Sequence, residues 1–109
     1  MEQLKNYLSS LRGDIFKLLP MKEAAMNGLD NHIDEYLEGI VVNLSGATKT
    51  YPELSTQKLF LYVLNNMQYL LSNTVEFKVW RRIILSSTKN IDNLFIEYGG
   101  GSKKKKKMV

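Results

Sequence analysis

The sequence predicts an all-α fold, a small four-helix bundle with a flexible basic C-terminal tail. Three observations predict it. Apolar residues recur at spacings of three and four over most of the chain, no long stretch alternates as strands do, and Gly99-Gly100-Gly101-Ser102 followed by Lys103 to Lys107 breaks the pattern after Tyr98. With 109 residues and 44% apolar positions, one domain is expected, burying roughly two-thirds of the surface of its unfolded chain. The domain is placed at 1–98 and the Gly/Ser hinge with its poly-Lys tail at 99–109.

The first helix is expected over residues 2–19, where Leu4, Leu8, Leu11, Ile15 and Leu18 draw one apolar stripe. Pro20 is expected to stop it. A second helix is expected over 22–45 from Met26, Leu29, Ile33, Leu37, Ile40, Val41 and Leu44, with Asn27-Gly28 inside its pattern and Gly46 ending it. The loop that follows closes on Thr50 and Glu53, at capping-box spacing, with Pro52 suited to a first helical turn. The third helix, about 53–72, is apolar almost all round through Leu59 to Leu64, which predicts a central position or one shared with a partner. Asn73 or Thr74 is placed to cap the fourth, in which Phe77, Trp80, Ile83, Ile84, Ile91, Leu94, Phe95 and Tyr98 keep the helical period.

Charge separates the domain from its tail. The net charge is +4, but Lys103 to Lys107 supply five of the fifteen cations, so residues 1–102 hold ten against eleven acids and carry about −1. The basicity belongs to an arm, which can meet phosphates without regard to sequence, an acidic protein groove or an acidic membrane surface.

Chemistry finds little support. The absence of cysteine excludes a disulfide scaffold, a thiolate metal site and a cysteine nucleophile, and fits a reducing compartment. The first twenty residues carry charges at Glu2, Lys5, Arg12, Asp14 and Lys17, unlike a secretory signal. The longest apolar run, Leu59 to Leu64, is far short of the ~20 residues that span a bilayer. A soluble intracellular protein with no membrane partner is therefore expected. His32 is the one imidazole and no nucleophile motif accompanies it, so it reads as a helix-boundary residue rather than a general base. Gly46-Ala47-Thr48-Lys49-Thr50 lacks the upstream glycine and preceding strand of a phosphate loop, and Asn43-Leu44-Ser45 is a sequon in form alone. No catalytic, cofactor or metal residue is assigned.

Two surfaces stand out instead. Asp30, Asp34 and Glu38 fall at i, i+4 and i+8, an acidic stripe that calls for a cationic partner. Arg81 and Arg82 are internal candidates for that role, and a basic patch on another chain is the external one. The aromatic residues mostly follow the apolar faces and read as core. Trp80-Arg81-Arg82 is the exception, a tryptophan beside two arginines of the kind that anchors interfaces. The residues assigned to partner binding are therefore Trp80, Arg81, Arg82, Asp30, Asp34 and Glu38. Lys103, Lys104, Lys105, Lys106 and Lys107 are assigned to contact with nucleic acid or a partner.

An N-terminal helix ending in Leu18-Leu19-Pro20-Met21-Lys22-Glu23-Ala24, then Asn31-His32-Ile33-Asp34-Glu35-Tyr36-Leu37, then Thr50-Tyr51-Pro52-Glu53-Leu54, and a helix built on Trp80-Arg81-Arg82 carry a resemblance. The chain resembles small proteins of large tailed phages, crAss-like phages among them. In size and layout it is also similar to all-helical head-to-tail connectors. That resemblance implies a non-enzymatic structural protein of the virion, assembled in the host cytoplasm. Its implied partners are copies of itself, in a homo-oligomer or ring between portal and tail, and other virion proteins. It also implies a C-terminal extension, here Gly99 to Val109, that docks on an adjacent ring. Contact between copies is expected through the apolar surplus of the third helix, with the acidic stripe meeting the arginine pair. Two other readings remain open: a small nucleic-acid-binding or regulatory protein acting through the lysine arm, and an inhibitor of a host enzyme acting through Trp80.

Overall fold

The computed structural model describes residues 2–100. The expected all-α bundle is present, with no strand among the described residues. Four helices of 15 to 19 residues form it: α1 (Glu2–Phe16), α3 (Ile33–Thr50), α4 (Lys58–Ser72) and α5 (Phe77–Phe95). A nine-residue helix, α2 (Leu18–Met26), lies between the first two. The tail residues Lys103 to Lys107 lie outside the described part.

Pro20 acts earlier than expected: the first helix ends at Phe16 and the proline lies inside the next one. It is the third residue of α2, where a missing N–H falls among the donors that have no helical partner anyway. Its ring cannot share space with the carbonyl four residues back, Phe16, and that is where α1 ends. Backbone bonds from Lys17 N to the Gly13 carbonyl and from Met21 N to the Lys17 carbonyl, both 3.1 Å, carry the ladder across the joint. The proline divides one helical run in two.

The expected single helix over 22–45 is also two. Gly28 adopts φ +99°, open to glycine and costly for other residues. Around it the Leu29 amide donates to the Ala24 carbonyl and the Gly28 amide to that of Ala25, the paired bonds of a Schellman ending. Met26 and Leu29, counted by their spacing as core, are more than half exposed. The chain re-enters a helix through His32, held at φ +54°. Asn31 ties this linker down by donating from Nδ2 to the Met21 carbonyl at 2.8 Å.

Gly46 does not end α3, which runs on to Thr50. Tyr51 then turns to φ −124°, ψ +83°, out of the helical region that a following proline disfavours. Pro52 opens a 3-10 turn, Pro52–Thr56, and α4 starts only at Lys58 with no capping box at Thr50. Glu76, not Asn73 or Thr74, precedes the first residue of α5, and it caps with no side-chain bond. Asn73 instead donates to the Tyr69 carbonyl at the end of α4.

Cross-helix contacts establish the topology. Arg12 meets Asp92 and Trp80 meets Leu18, so α5 runs antiparallel to α1; Asn66 meets Ser87, so α4 is antiparallel to α5. Tyr7 meets Asn43 and Tyr36 meets Asp14, which makes α3 antiparallel to α1. The result is an up-down-up-down ring in the order α1, α3, α4, α5. In it α3 and α5 occupy opposite corners, and α2 crosses one end against α1, α3 and α5.

The core is the stripe that the spacing predicts. Leu4, Leu8, Leu11, Ile15 and Leu18 are buried on the α1 side, facing Leu37, Ile40, Leu44, Phe60, Val63, Met67, Leu70, Ile84, Ile91 and Leu94. α4 is not central. It buries Phe60, Val63, Met67 and Leu70, half-buries Leu59, Leu61 and Leu64, and turns Tyr62 and Tyr69 to solvent. Leu71 is exposed beside them, so part of the apolar surplus of α4 stays on the surface.

Candidate interaction surfaces

Trp80 is not an exposed anchor. Its side chain is 3% exposed, its indole Nε1 donates to the Leu18 carbonyl at 3.1 Å, and Lys22 Nζ stands 4.6 Å from the ring centroid. Leu18 is in the first turn of α2, whose carbonyl thus gains a partner beyond the helix. A buried indole needs such an acceptor for its N–H, and this one locks α5 to the α1–α2 joint. The residue that looked like a partner contact holds the fold together.

Arg81 and Arg82 are both exposed, as one step round the helix from a buried Trp80 requires for the first and two for the second. They do not meet Asp30, Asp34 or Glu38: the ion pairs among the described residues are Lys5 with Glu2, Arg12 with Asp92 and His32 with Glu35. The reason is topological, since the two sets ride on helices at opposite corners of the bundle. Lys78, Arg81, Arg82 and Lys89 instead share the outward surface of α5 with half-buried Leu85 and Ser86. The cationic stripe covers about 16 Å of helix at 1.5 Å per residue.

The acidic stripe is also rearranged. Asp30 precedes α3 and belongs to the linker, where its carboxylate accepts weakly from the His32 amide at 3.4 Å. Asp34 and Glu38 remain together on α3, joined by Glu35, all three exposed. Between α1 and α3 opens a groove of ≈310 Å³ with Leu11 and Ile40 at its floor and Asp14, Lys17, Glu35, Tyr36, Gly39 and Asn43 around it. That volume is at the low end for small-molecule pockets.

The groove exists because α3 turns small and polar residues toward α1. Gly39 and Gly46 have open space where a side chain would stand. Two tyrosines bridge the gap that their neighbours leave. The Tyr7 hydroxyl donates to Asn43 Oδ1 at 2.6 Å and the Tyr36 hydroxyl to the Asp14 carbonyl at 2.9 Å, while the Tyr7 and Tyr51 rings approach to 5.4 Å. Burial, then the neighbouring Tyr51 and Asp14, raises the pKa of Tyr7; burial and Asp14 raise that of Tyr36. Both hydroxyls therefore stay protonated donors beyond the usual tyrosine range.

His32 is exposed, 3.5 Å from Glu35, with no nucleophile joined to it in the described residues. No group of three or more potential metal ligands gathers among the described residues. No helix among them is long and apolar enough to cross a membrane. Near the C-terminus the helical path continues through a π turn, Ile96–Gly100, where Gln57 Nε2 donates to Glu97 and to the Tyr98 hydroxyl at 3.2 Å. The far end of the Lys5 side chain lies over Gly99, 2.5 Å from where a Cβ would stand, and a lysine can move aside from such a contact.

Sequence spacing pointed to the arginines and most of the acids but not to Lys78 and Lys89, whose place beside Arg81 and Arg82 is legible at i, i+3, i+4 and i+11. It gave no sign of the groove, which depends on the α1–α3 pairing. In comparisons with known proteins, no family model, curated protein or solved structure matches the chain.

Proposed function

We propose that the chain is a non-enzymatic assembly protein that associates with copies of itself and with other structural components of a tailed-phage particle, in the manner of the head-to-tail connectors it resembles. The supporting observation is the segregation of charge. Acids gather on α3 and cations on α5, at opposite corners of the bundle, with no ion pair between the two sets.

A body with unlike charge on opposite faces favours a heterologous contact, in which one face of a copy meets a different face of the next. Such contacts close into rings or run on as filaments. Charge of this kind steers encounter and sets register more than it adds affinity. The tail, with Lys103 to Lys107, supplies an arm for a neighbouring subunit or packaged DNA. On this reading the protein acts in the virion after assembly in the host cytoplasm.

The test combines light scattering of the purified chain with mass spectrometry of purified particles. Self-association and presence in particles support the reading; a monomer absent from particles sinks it. The second reading, nucleic-acid binding, is favoured by the four cations of α5 together with the lysine arm. Duplex DNA binding that weakens steeply with salt and disappears when residues 99–109 are deleted would establish it.

A further inference from the structure

The two charged surfaces differ in sign, and each pairs its charges with apolar residues. The α5 stripe carries Leu85 between Arg82 and Lys89, in a shallow depression among the long side chains. The α1–α3 surface is concave, with Leu11 and Ile40 at the floor and Asp14 and Glu35 at the walls. Glu38 follows Glu35 by three residues, one helical turn along the same side of α3. Their heights along the bundle also correspond. Tyr36 is level with Asp14, and Arg12 with Asp92, so the Asp34 to Glu38 stretch stands level with the Lys89 end of the stripe on the opposite corner.

We propose that the α5 stripe of one copy seats in the α1–α3 groove of the next, with Leu85 over the floor and Arg81, Arg82 and Lys89 against Asp14, Glu35 and Glu38. This inference rests on the assembly reading and names its interface. The occupant is a second copy because the cations that the groove's acids call for, and an apolar residue for its floor, are presented by the opposite corner of the same chain.

Seating a helix there also accounts for what the fold leaves open. Gly39 puts no side chain in the mouth of the groove, so a foreign helix can approach the α3 backbone. Lys17, the one cation on the groove, stands at the α1–α2 joint and limits how far toward that end the incoming arginines fit. Because each copy offers one stripe and one groove on opposite sides, the contact repeats head to tail and leaves both surfaces used in every interior copy.

The experiment is sedimentation velocity on the full chain at low salt, with four proteins: wild type, Arg81→Glu with Arg82→Glu, Glu35→Lys with Glu38→Lys, and the chain carrying all four reversals. Every altered residue is exposed, and far-UV circular dichroism checks that helix content is kept. Each double reversal is expected to weaken association at least tenfold, and the fourfold reversal to restore it, as is mixing the two doubles. Wild-type association that both doubles leave intact overturns the groove while sparing the assembly reading; a wild type monomeric at every concentration overturns both. Two further results also overturn it: loss of duplex DNA binding in the arginine double with association unchanged, and loss of association on replacing Lys103 to Lys107 by glutamine when the doubles have no effect.

Discussion

The α1/α5 seam and the α1/α3 seam use the same helix and are sealed by different means. Toward α5, α1 and its continuation meet Ile91 and Trp80, and the polar links are an indole bond to the Leu18 carbonyl and an Arg12–Asp92 pair at 2.6 Å on the rim. Toward α3, α1 meets Gly39, Asn43 and Gly46, and two tyrosine hydroxyls span what the small residues leave open. One seam is filled mainly by apolar volume, with a smaller depression of ≈180 Å³, and the other is spanned by polar bridges across a groove of ≈310 Å³. A bundle of this length can leave one seam open because α4 and α5 cover the remaining sides of the leucine stripe.

The difference is largest at Trp80. Trp80→Ala should cost about 3–5 kcal/mol, the range for large-to-small changes in a core. Trp80→Phe keeps most of the apolar volume but leaves the Leu18 carbonyl without its donor, and should cost about 1–3 kcal/mol. Urea denaturation followed by circular dichroism measures both. If either variant unfolds at the wild-type midpoint, the closed seam does not depend on that residue.

The open seam should respond more weakly. Tyr7→Phe removes the bond to Asn43 and should cost about 1 kcal/mol in the same measurement. The tyrosines also predict a pH limb. Their folded pKa values lie above the unfolded value of 10.0, so between those points the native state holds more protons. The stabilisation is complete below pH 10 and falls as pH rises beyond it. Chemical denaturation across that range should show stability declining in wild type and declining less in Tyr7→Phe with Tyr36→Phe. The smallest effect runs the other way: Gly39→Ala, in a helix with open space for the methyl, should stabilise by about 0.5–1 kcal/mol. A loss of stability there would mean that the groove is narrower than its geometry indicates.

Much of this arrangement was legible in the sequence. The spacing of Leu4, Leu8, Leu11, Ile15 and Leu18 is enough to place them in the core, because a helix face is set by local periodicity. The same reasoning failed at Met26 and Leu29. Their spacing continues the helical pattern, but a residue at positive φ ends the helix between them, and Asn27-Gly28 is a local signal that the periodicity overrode. Pro20 was misread for the opposite reason, since its position in a first turn is not distinguishable from a stop until the preceding break is placed. Trp80 looked like a surface anchor because its neighbours are arginines, yet successive residues on a helix point 100° apart, so exposed arginines do not carry the preceding tryptophan to the surface. The charges themselves were visible; which corners they occupy is a tertiary fact, fixed by how α1 pairs with α3 and α5.

In the proposed assembly, unlike charge on opposite corners draws copies of this chain together. Sedimentation velocity of the full chain, titrated from about 0.01 M salt, where charges act over about 30 Å, to about 1 M, where they act over about 3 Å, tests it most directly. Species larger than the monomer should grow with protein concentration at low salt and revert to monomer as salt rises. A monomer at low salt and every concentration, or association that strengthens with salt, would contradict it.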